Sequence, residues 1–511
     1  MAFSVSEFDK ITHLLGYPIL VKWSGVIAAL FTIVVCNYLR LLIFRDNKIP
    51  PQVPYFIPFI GSLLDFGLDP LGFLQKNRKK YGDYFTFNLA ILKVTVCLGV
   101  EGNNLVFNAK HSHVSAEDIY TNLTTPLFGT GVVYDCPNAL LMEQKKFMKF
   151  GLTTENFRAY VPAIEEETRQ YLQRWNKKSD RVDLGKAMAE LTIMTASRCL
   201  MGKEVRSLLD ETVAGLFKDL DNGFQPINAA FKHLPLPSYW RRDTAHVKMR
   251  NLFMDIMKKR RATGDMNNND IMQSLMDQEY KSGQKVTDQD VAHMMIALLM
   301  AGQHSSSATS SWSILHIAKD RKLLNELREE QIQVLGSLNE PLSYDKLKEL
   351  QLHDHVIRES LRMYPPIIMV LRKVKQDLPI PNTNMVIPKG HCVSASAVIS
   401  QYDDKYFEDP LTYNPHRWET ITEADDVVNE DYGWGTVTGG RSPYLPFGAG
   451  RHRCIGETFA YVQLKSIIAT FVRMFDVELT EKGLPKVDYT KLFTGPVAPA
   501  EVIYTRRNEN D

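Results

Sequence analysis

FGAGRHRCIGE, residues Phe447 to Glu457, sets one cysteine among three glycines, two arginines and a histidine. Cys454 could be half of a disulfide, a nucleophile, a metal ligand or core filling. Six cysteines (Cys36, Cys97, Cys136, Cys199, Cys392 and Cys454) are scattered over 511 residues without paired spacing, unlike the dense frameworks of small secreted domains, and a reducing compartment is expected. A structural zinc site would want further Cys or His ligands nearby, where only His452 stands. No residue pattern marks the positioned base that a nucleophile requires.

A thiolate ligating haem iron does fit the stretch. Backbone N–H groups of a glycine-containing loop, and the start of the helix TFAYVQLKSIIATFVRMF that follows, would stabilise the negative sulfur. The glycines would let backbone and porphyrin approach it closely.

The rest of the chain has room for such a centre. Hydrophobic residues make up 44% and charged residues 23%, ordinary for a globular protein, and a net charge of +1 predicts no overall attraction to nucleic acid. Residues 1–22 read as a luminal or amphipathic segment. WSGVIAALFTIVVCNYL, residues 23–39, is seventeen residues without a charge, near the lower end of the roughly 17–25 that span a bilayer. One transmembrane anchor is expected, with Arg40, Arg45 and Lys48 holding its C-terminal side in the cytosol. Residues 40–62 combine that basic flank with four prolines in IPPQVPYFIPFIGS, which predict a stiff, extended connector. From 63 to 505 no second linker or repeat occurs, so one large catalytic domain is expected, with 506–511 a solvated tail. Its class is mainly α with small sheets. Helical patterns run over Pro162–Asn176, Asp288–Ala318 and Tyr344–Tyr364, and YFTFNLA, KVTVCLGV and AEVIY read as strands. The Gly-, Thr- and Asp-rich stretch from Thr420 to Tyr444 predicts an exposed loop.

The helix from Asp288 opens on a capping box at Thr287 and is apolar nearly all round, the mark of burial on every side. Its centre, Ala301-Gly302-Gln303-His304-Ser305, is unlike a buried helix. Glycine there costs about 1 kcal/mol relative to alanine. The centre is either a kink packed on a neighbour or a turn opened for a ligand, with His304 and Ser305 able to hold water and pass protons. Elsewhere Glu359 and Arg362 lie three apart on a helix, and Arg417 can join the same carboxylate to lock a meander in place.

Phe447-x-x-Gly450-x-His452-x-Cys454-x-Gly456 resembles the haem-binding loop of the cytochrome P-450 superfamily, the haem-thiolate monooxygenases. Glu359-x-x-Arg362, Arg417 and the interrupted helix resemble its other motifs, in the same order. Tyr120-x-x-Leu123-x-x-Pro126-x-Phe128-Gly129-x-x-Val132-x-Tyr134-Asp135 and Gly302-Gln303-His304-Ser305 resemble the two signatures of the sterol 14α-demethylases, and YDCPN and LMEQKKF look like their fungal members. The resemblance implies a triangular, mostly helical prism holding haem b through Cys454, whose loop includes Phe447, Gly448 and Gly450. Tyr120, Tyr134, Lys145, Arg372 and His452 would hold the propionates. A proton relay of Asp221, His304 and Ser305 is implied, with serine where most members carry threonine. Phe128, Phe224, Ile368, Met369, Leu371 and Phe493 are candidates to line the sterol cavity.

The implied reaction removes a sterol 14α-methyl group as formate in three O2-consuming steps. Electrons would come from NADPH through a membrane-bound reductase, which Lys146, Lys149, Arg451 and Arg453 could face, at the endoplasmic reticulum. Two rival readings are a haem-thiolate oxidase of another lipid or sterol and a haem sensor without turnover. A sensor needs no proton relay.

Overall fold

The computed structural model describes residues 28–29, 31–41, 46–57, 59–208, 211–224, 235–264, 270–421 and 441–508. Residues 1–22 lie outside these, as do 422–440, most of the expected loop. Only 28–29 and 31–39 of the expected anchor are described, as helix. No helix among the described residues is long and apolar enough to cross a membrane.

Helices form the bulk. The central one runs from Asp288 to Lys319, with Thr287 Oγ1 accepting from Asp290 N–H (3.1 Å) and the Asp290 carboxylate accepting in return, so the capping box is formed. It packs on helices Leu184–Ala196, Pro237–Thr263, Gln351–Met363 and Glu457–Met474. Helical assignment continues through Gly302, so the expected interruption is not a break in the helix. What changes there is burial: Val291–Met300 and Ser306–Ala318 are almost wholly buried, whereas Ala301 is exposed and Gly302 to Ser305 are half-buried.

Two other helical expectations are corrected. The helix expected from Pro162 begins at Thr154, where the Thr153 hydroxyl caps Asn156 N–H. The proline sits inside it because burial of Phe157, Tyr160, Val161 and Ile164 on one face outweighs the lost N–H. The pattern over Tyr344–Tyr364 is two helices, Tyr344–Glu349 and Gln351–Met363, parted by the non-helical backbone of Leu350.

Four small sheets complete the described fold. The largest orders its strands Tyr84–Leu89, Leu92–Cys97, Cys392–Ala395, Val370–Val374 and Val114–Ser115, with one parallel pairing, Val94 to Cys97 on Cys392 to Ala395. The connector over 40–62 is not free along its length: Val53 N–H donates to Thr86 O (2.7 Å) and Thr86 N–H to Pro51 O (2.8 Å). Prolines pre-set an extended backbone, and an edge strand tolerates their missing donors. The start of the expected polar tail is likewise tied down, Arg507 N–H donating to Met474 O (3.0 Å). Arg506 closes the strand Glu501–Arg506, stacks on Phe475 and donates to Trp175 O (2.9 Å). Ser442 and Tyr444, at the end of the expected exposed loop, are buried and half-buried, Ser442 because its hydroxyl bonds back to the Tyr444 backbone.

Candidate active site

Cys454 ends the loop that opens helix Glu457–Met474, with its N–H donating to Phe447 O (3.0 Å). Cys454 is open to solvent on its surface, yet the surrounding chain desolvates its sulfur and pushes the thiol up, against the Gly456 N–H and the charges of Lys145 and Arg453. The glycines on either side of it also fix how the loop itself folds. Gly448 and Gly450 have φ of +67° and +64°, and a Cβ on Gly450 would lie 2.3 Å from the Phe107 carbonyl oxygen. Their freedom thus lets the loop close over the end of helix Gly99–Phe107. A Cβ on Gly456 would meet Cys454 Sγ at an ordinary 3.9 Å.

Beside the cysteine loop, five donors gather from four elements. The Tyr120 and Tyr134 rings lie 5.2 Å apart, and Tyr134 lies 6.0 Å from His452. Leu371 N–H donates to the Tyr120 hydroxyl (2.9 Å), which Arg372, almost wholly buried, also contacts. Burial, then the Arg372 charge, holds His452 down at about 4. Burial likewise lowers Lys145 to about 8. Glu117, the carboxylate that acts on His452, is already taken by Asn138 (2.8 Å) and Ser115 (3.0 Å). Lys145 and His452, both held below their ordinary range, gathered with the Arg372 guanidinium, fit a ligand bearing carboxylates. The Lys145 ammonium donates to Arg451 O (3.0 Å) and Arg453 O (2.8 Å), clamping the cysteine loop to helix Asn138–Lys149. Lys146, Lys149 and Arg451 are exposed, while Arg453 pairs with Glu457.

On the long helix, a Cβ at Gly302 would meet nothing within 4 Å among the described residues. His304 Nε2 lies 2.7 Å from Asp221 Oδ1, at ion-pair distance but without hydrogen-bond alignment. His304 side-chain exposure is 18% and that of Asp221 44%, so the pair runs from the interior outward. The Ser305 hydroxyl donates back to Ala301 O (3.1 Å). Three of the candidate pocket residues converge here. Phe493 stacks on His304 at 5.2 Å, Phe224 meets Phe493 edge-on at 5.5 Å, and Phe128 lies 5.7 Å from Phe224. Ile368, Met369 and Leu371 are half-buried at the start of strand Val370–Val374, and Ile368 and Leu371 pack against a second apolar cluster around Phe85 and Phe87.

Away from both, Glu359 is fully buried and accepts from Arg362 Nε (2.9 Å) and Nη2 (2.8 Å), Arg417 Nε (3.1 Å), Trp418 Nε1 (3.0 Å) and Asn414 N (3.0 Å). Trp418 was missed in the sequence, although it adjoins Arg417. His246 and His293 were missed too. Their rings lie 5.1 Å apart and their Nδ1 atoms approach Leu127 O (2.9 Å) and Thr130 O (3.0 Å), holding the turn between Phe128 and Tyr134; nothing in the local pattern signals it.

The cytochrome P450 family model matches residues 51–504. This chain belongs to the cytochrome P450 family. It is 46% identical over 507 residues to the lanosterol 14-alpha demethylase of Cunninghamella elegans, covering 98% of this chain and 99% of that one. It is 48% identical to the sterol 14-alpha demethylase of Aspergillus flavus (94% and 96% covered) and to the eburicol 14-alpha-demethylase of Uncinula necator (92% and 93%). In structure it matches the retinoic acid bound cyanobacterial CYP120A1 at a TM-score of 0.77 and 20% identity, over 91% of this chain and 100% of that one. As a P450 monooxygenase it uses haem, with a cysteine thiolate as iron ligand, O2 and electrons from a redox partner. The lone cysteine in a charged loop and the carboxylate-seeking cluster fit that cofactor.

Proposed function

We propose that this chain is a sterol 14α-demethylase, converting lanosterol or its 24-methylene relative with release of the 14α-methyl carbon as formate. The observation that carries the reading is the opened centre of the long helix, where a His–Asp pair and three phenylalanines meet, in a chain 46–48% identical to fungal sterol demethylases over nearly its full length. Haem bound through Cys454 supplies oxygen activation and C–H oxidation. Tyr120, Tyr134, Lys145, Arg372 and His452 would hold its propionates, and Lys145 also keeps the cysteine loop seated. Asp221, half-exposed, takes protons from solvent, and His304 carries them inward to the turn where Ser305 can turn its hydroxyl away from Ala301 O. Phe128, Phe224 and Phe493 exclude water and present an apolar wall to the sterol body, with Ile368, Met369 and Leu371 on another side.

Electrons come from NADPH through a membrane-bound flavoprotein reductase, for which Lys146, Lys149 and Arg451 offer exposed positive charge. The seventeen uncharged residues from Trp23 anchor the chain in the endoplasmic reticulum with the catalytic domain in the cytosol. The test is turnover of the purified protein with reductase and each sterol. Formate release that depends on NADPH is expected, and a CO complex of normal thiolate type that yields no formate from any 14α-methylated sterol would overturn the proposal.

A further inference from the structure

Two turns along the long helix from Ser305 stands Trp312, on the same face and about 10 Å away along the axis. Its indole stacks on the Tyr364 ring at 3.9 Å and 7°. The Tyr364 hydroxyl meets His316 Nε2 at 3.1 Å, and the His316 ring stacks on Tyr413 at 3.8 Å and 6°. Trp312 is buried, Tyr364 and Tyr413 are half-buried, and the four rings form one continuous file from the oxygen-activating helix towards the surface. Neither the haem-binding cluster nor the proton relay uses them.

Each ring carries different chemistry. Trp312 Nε1 is buried and has no hydrogen-bond partner among the described residues, so an indole that lost an electron there would keep its proton and be reduced again by its neighbour. Tyr364 does have an acceptor. Burial pushes its phenol up to about 12, so it is protonated, and burial pushes His316 down to about 3, so its imidazole is neutral and has a lone pair to offer.

We propose that Trp312, Tyr364, His316 and Tyr413 form an escape path for oxidising equivalents, protecting the haem when oxygen is activated without a substrate being oxidised. One electron passes from Tyr364 through Trp312 to the oxidising equivalent left at the haem. The phenolic O–H bond of Tyr364 breaks, its proton moves to His316 Nε2, and a neutral tyrosyl radical faces an imidazolium. A small reductant such as a thiol or ascorbate, reaching the file at Tyr413, returns the electron, and the proton goes back from His316. This rests on the family's haem chemistry and is independent of the sterol assignment.

The test is electron paramagnetic resonance on the ferric holoenzyme, freeze-quenched after mixing with a peracid in the absence of sterol. A tyrosyl signal that narrows in protein carrying ring-deuterated tyrosine is expected. Tyr364→Phe keeps the ring and its stack on Trp312 and removes only the hydroxyl, so a packing role alone predicts no change. The path predicts that the signal falls several-fold and that haem bleaches several-fold faster during NADPH consumption without sterol. Trp312→Phe should slow the appearance of the radical. No tyrosyl signal in the wild type, or equal signal and equal bleaching in Tyr364→Phe, would overturn the proposal.

Discussion

Two carboxylates in this molecule each face a basic side chain, and their surroundings are opposite. Glu359 is fully buried and its two oxygens accept from two arginines, an indole and a backbone amide. Arg362 in turn donates to Gln401 O (2.8 Å) and Pro410 O (2.7 Å). Asp221 is 44% exposed and meets His304 at a distance without an alignment. A saturated, dry cluster can only hold its shape, because every proton and lone pair in it is committed. A half-wet pair with free valences can exchange a proton with solvent and pass it on. Saturation separates the structural carboxylate from the chemical one more sharply than the identity of the residues does.

The comparison breaks most visibly at Glu359. Glu359→Gln leaves Arg362 and Arg417 buried without a counter-charge, a change expected to cost about 3–5 kcal/mol. Thermal unfolding or the yield of folded holoprotein reads it, and a variant within 1 kcal/mol or so of wild type would remove the cluster's structural role. The next effect runs the other way. Asp221→Asn should alter stability by less than about 1 kcal/mol, since the pair is part-exposed, yet lower kcat by about 10²-fold as proton delivery fails. Formate release at saturating sterol measures that, with sterol affinity unchanged.

A third test sets both charged groups against a buried neutral one. His316 takes a proton only near pH 3 in the folded chain, because burial disfavours its charge, against about 6.5 when unfolded. Between those values the unfolded state binds the extra proton, so stability is constant above the window and falls as pH drops through it. The expected contribution is on the order of 2 kcal/mol between pH 7 and 5. Urea midpoints across that range should decline less steeply in His316→Gln, and parallel slopes would refute the assignment.

How legible these regions were in sequence follows from the length scale of each signal. The cysteine loop, the capping box at Thr287 and the long helix are local patterns, and they appear where the residues place them. Glu359, Arg362 and Arg417 were readable because a motif and one outlying arginine carry most of the network, and Trp418 escaped because an indole next to an arginine has no pattern of its own. The contact of the Gly448–Gly450 turn with Phe107 had no signal in the sequence, since only the folded chain brings Phe107 beneath it. The extent of the helix over Thr154–Gln173 was obscured by Pro162, where tertiary burial overrode a local breaker. The His246–His293 clamp and the Trp312–Tyr364 stack join distant segments through ring contacts and had no local signal to read.

The smallest expected effect tests how finely the open region is tuned. Ser305→Thr adds one methyl at a half-buried position whose hydroxyl already donates to Ala301 O. A threonine in a helix can make the same back-bond, and branching at Cβ leaves its hydroxyl fewer rotamers to visit. Stability should therefore move by less than about 0.5 kcal/mol. The fraction of consumed NADPH recovered as formate should rise modestly, because a hydroxyl held in one orientation delivers its proton more often when the turn needs it. If Ser305→Thr leaves that fraction unchanged while Asp221→Asn still lowers kcat, the hydroxyl only back-bonds the helix and proton delivery depends on Asp221 and His304 alone.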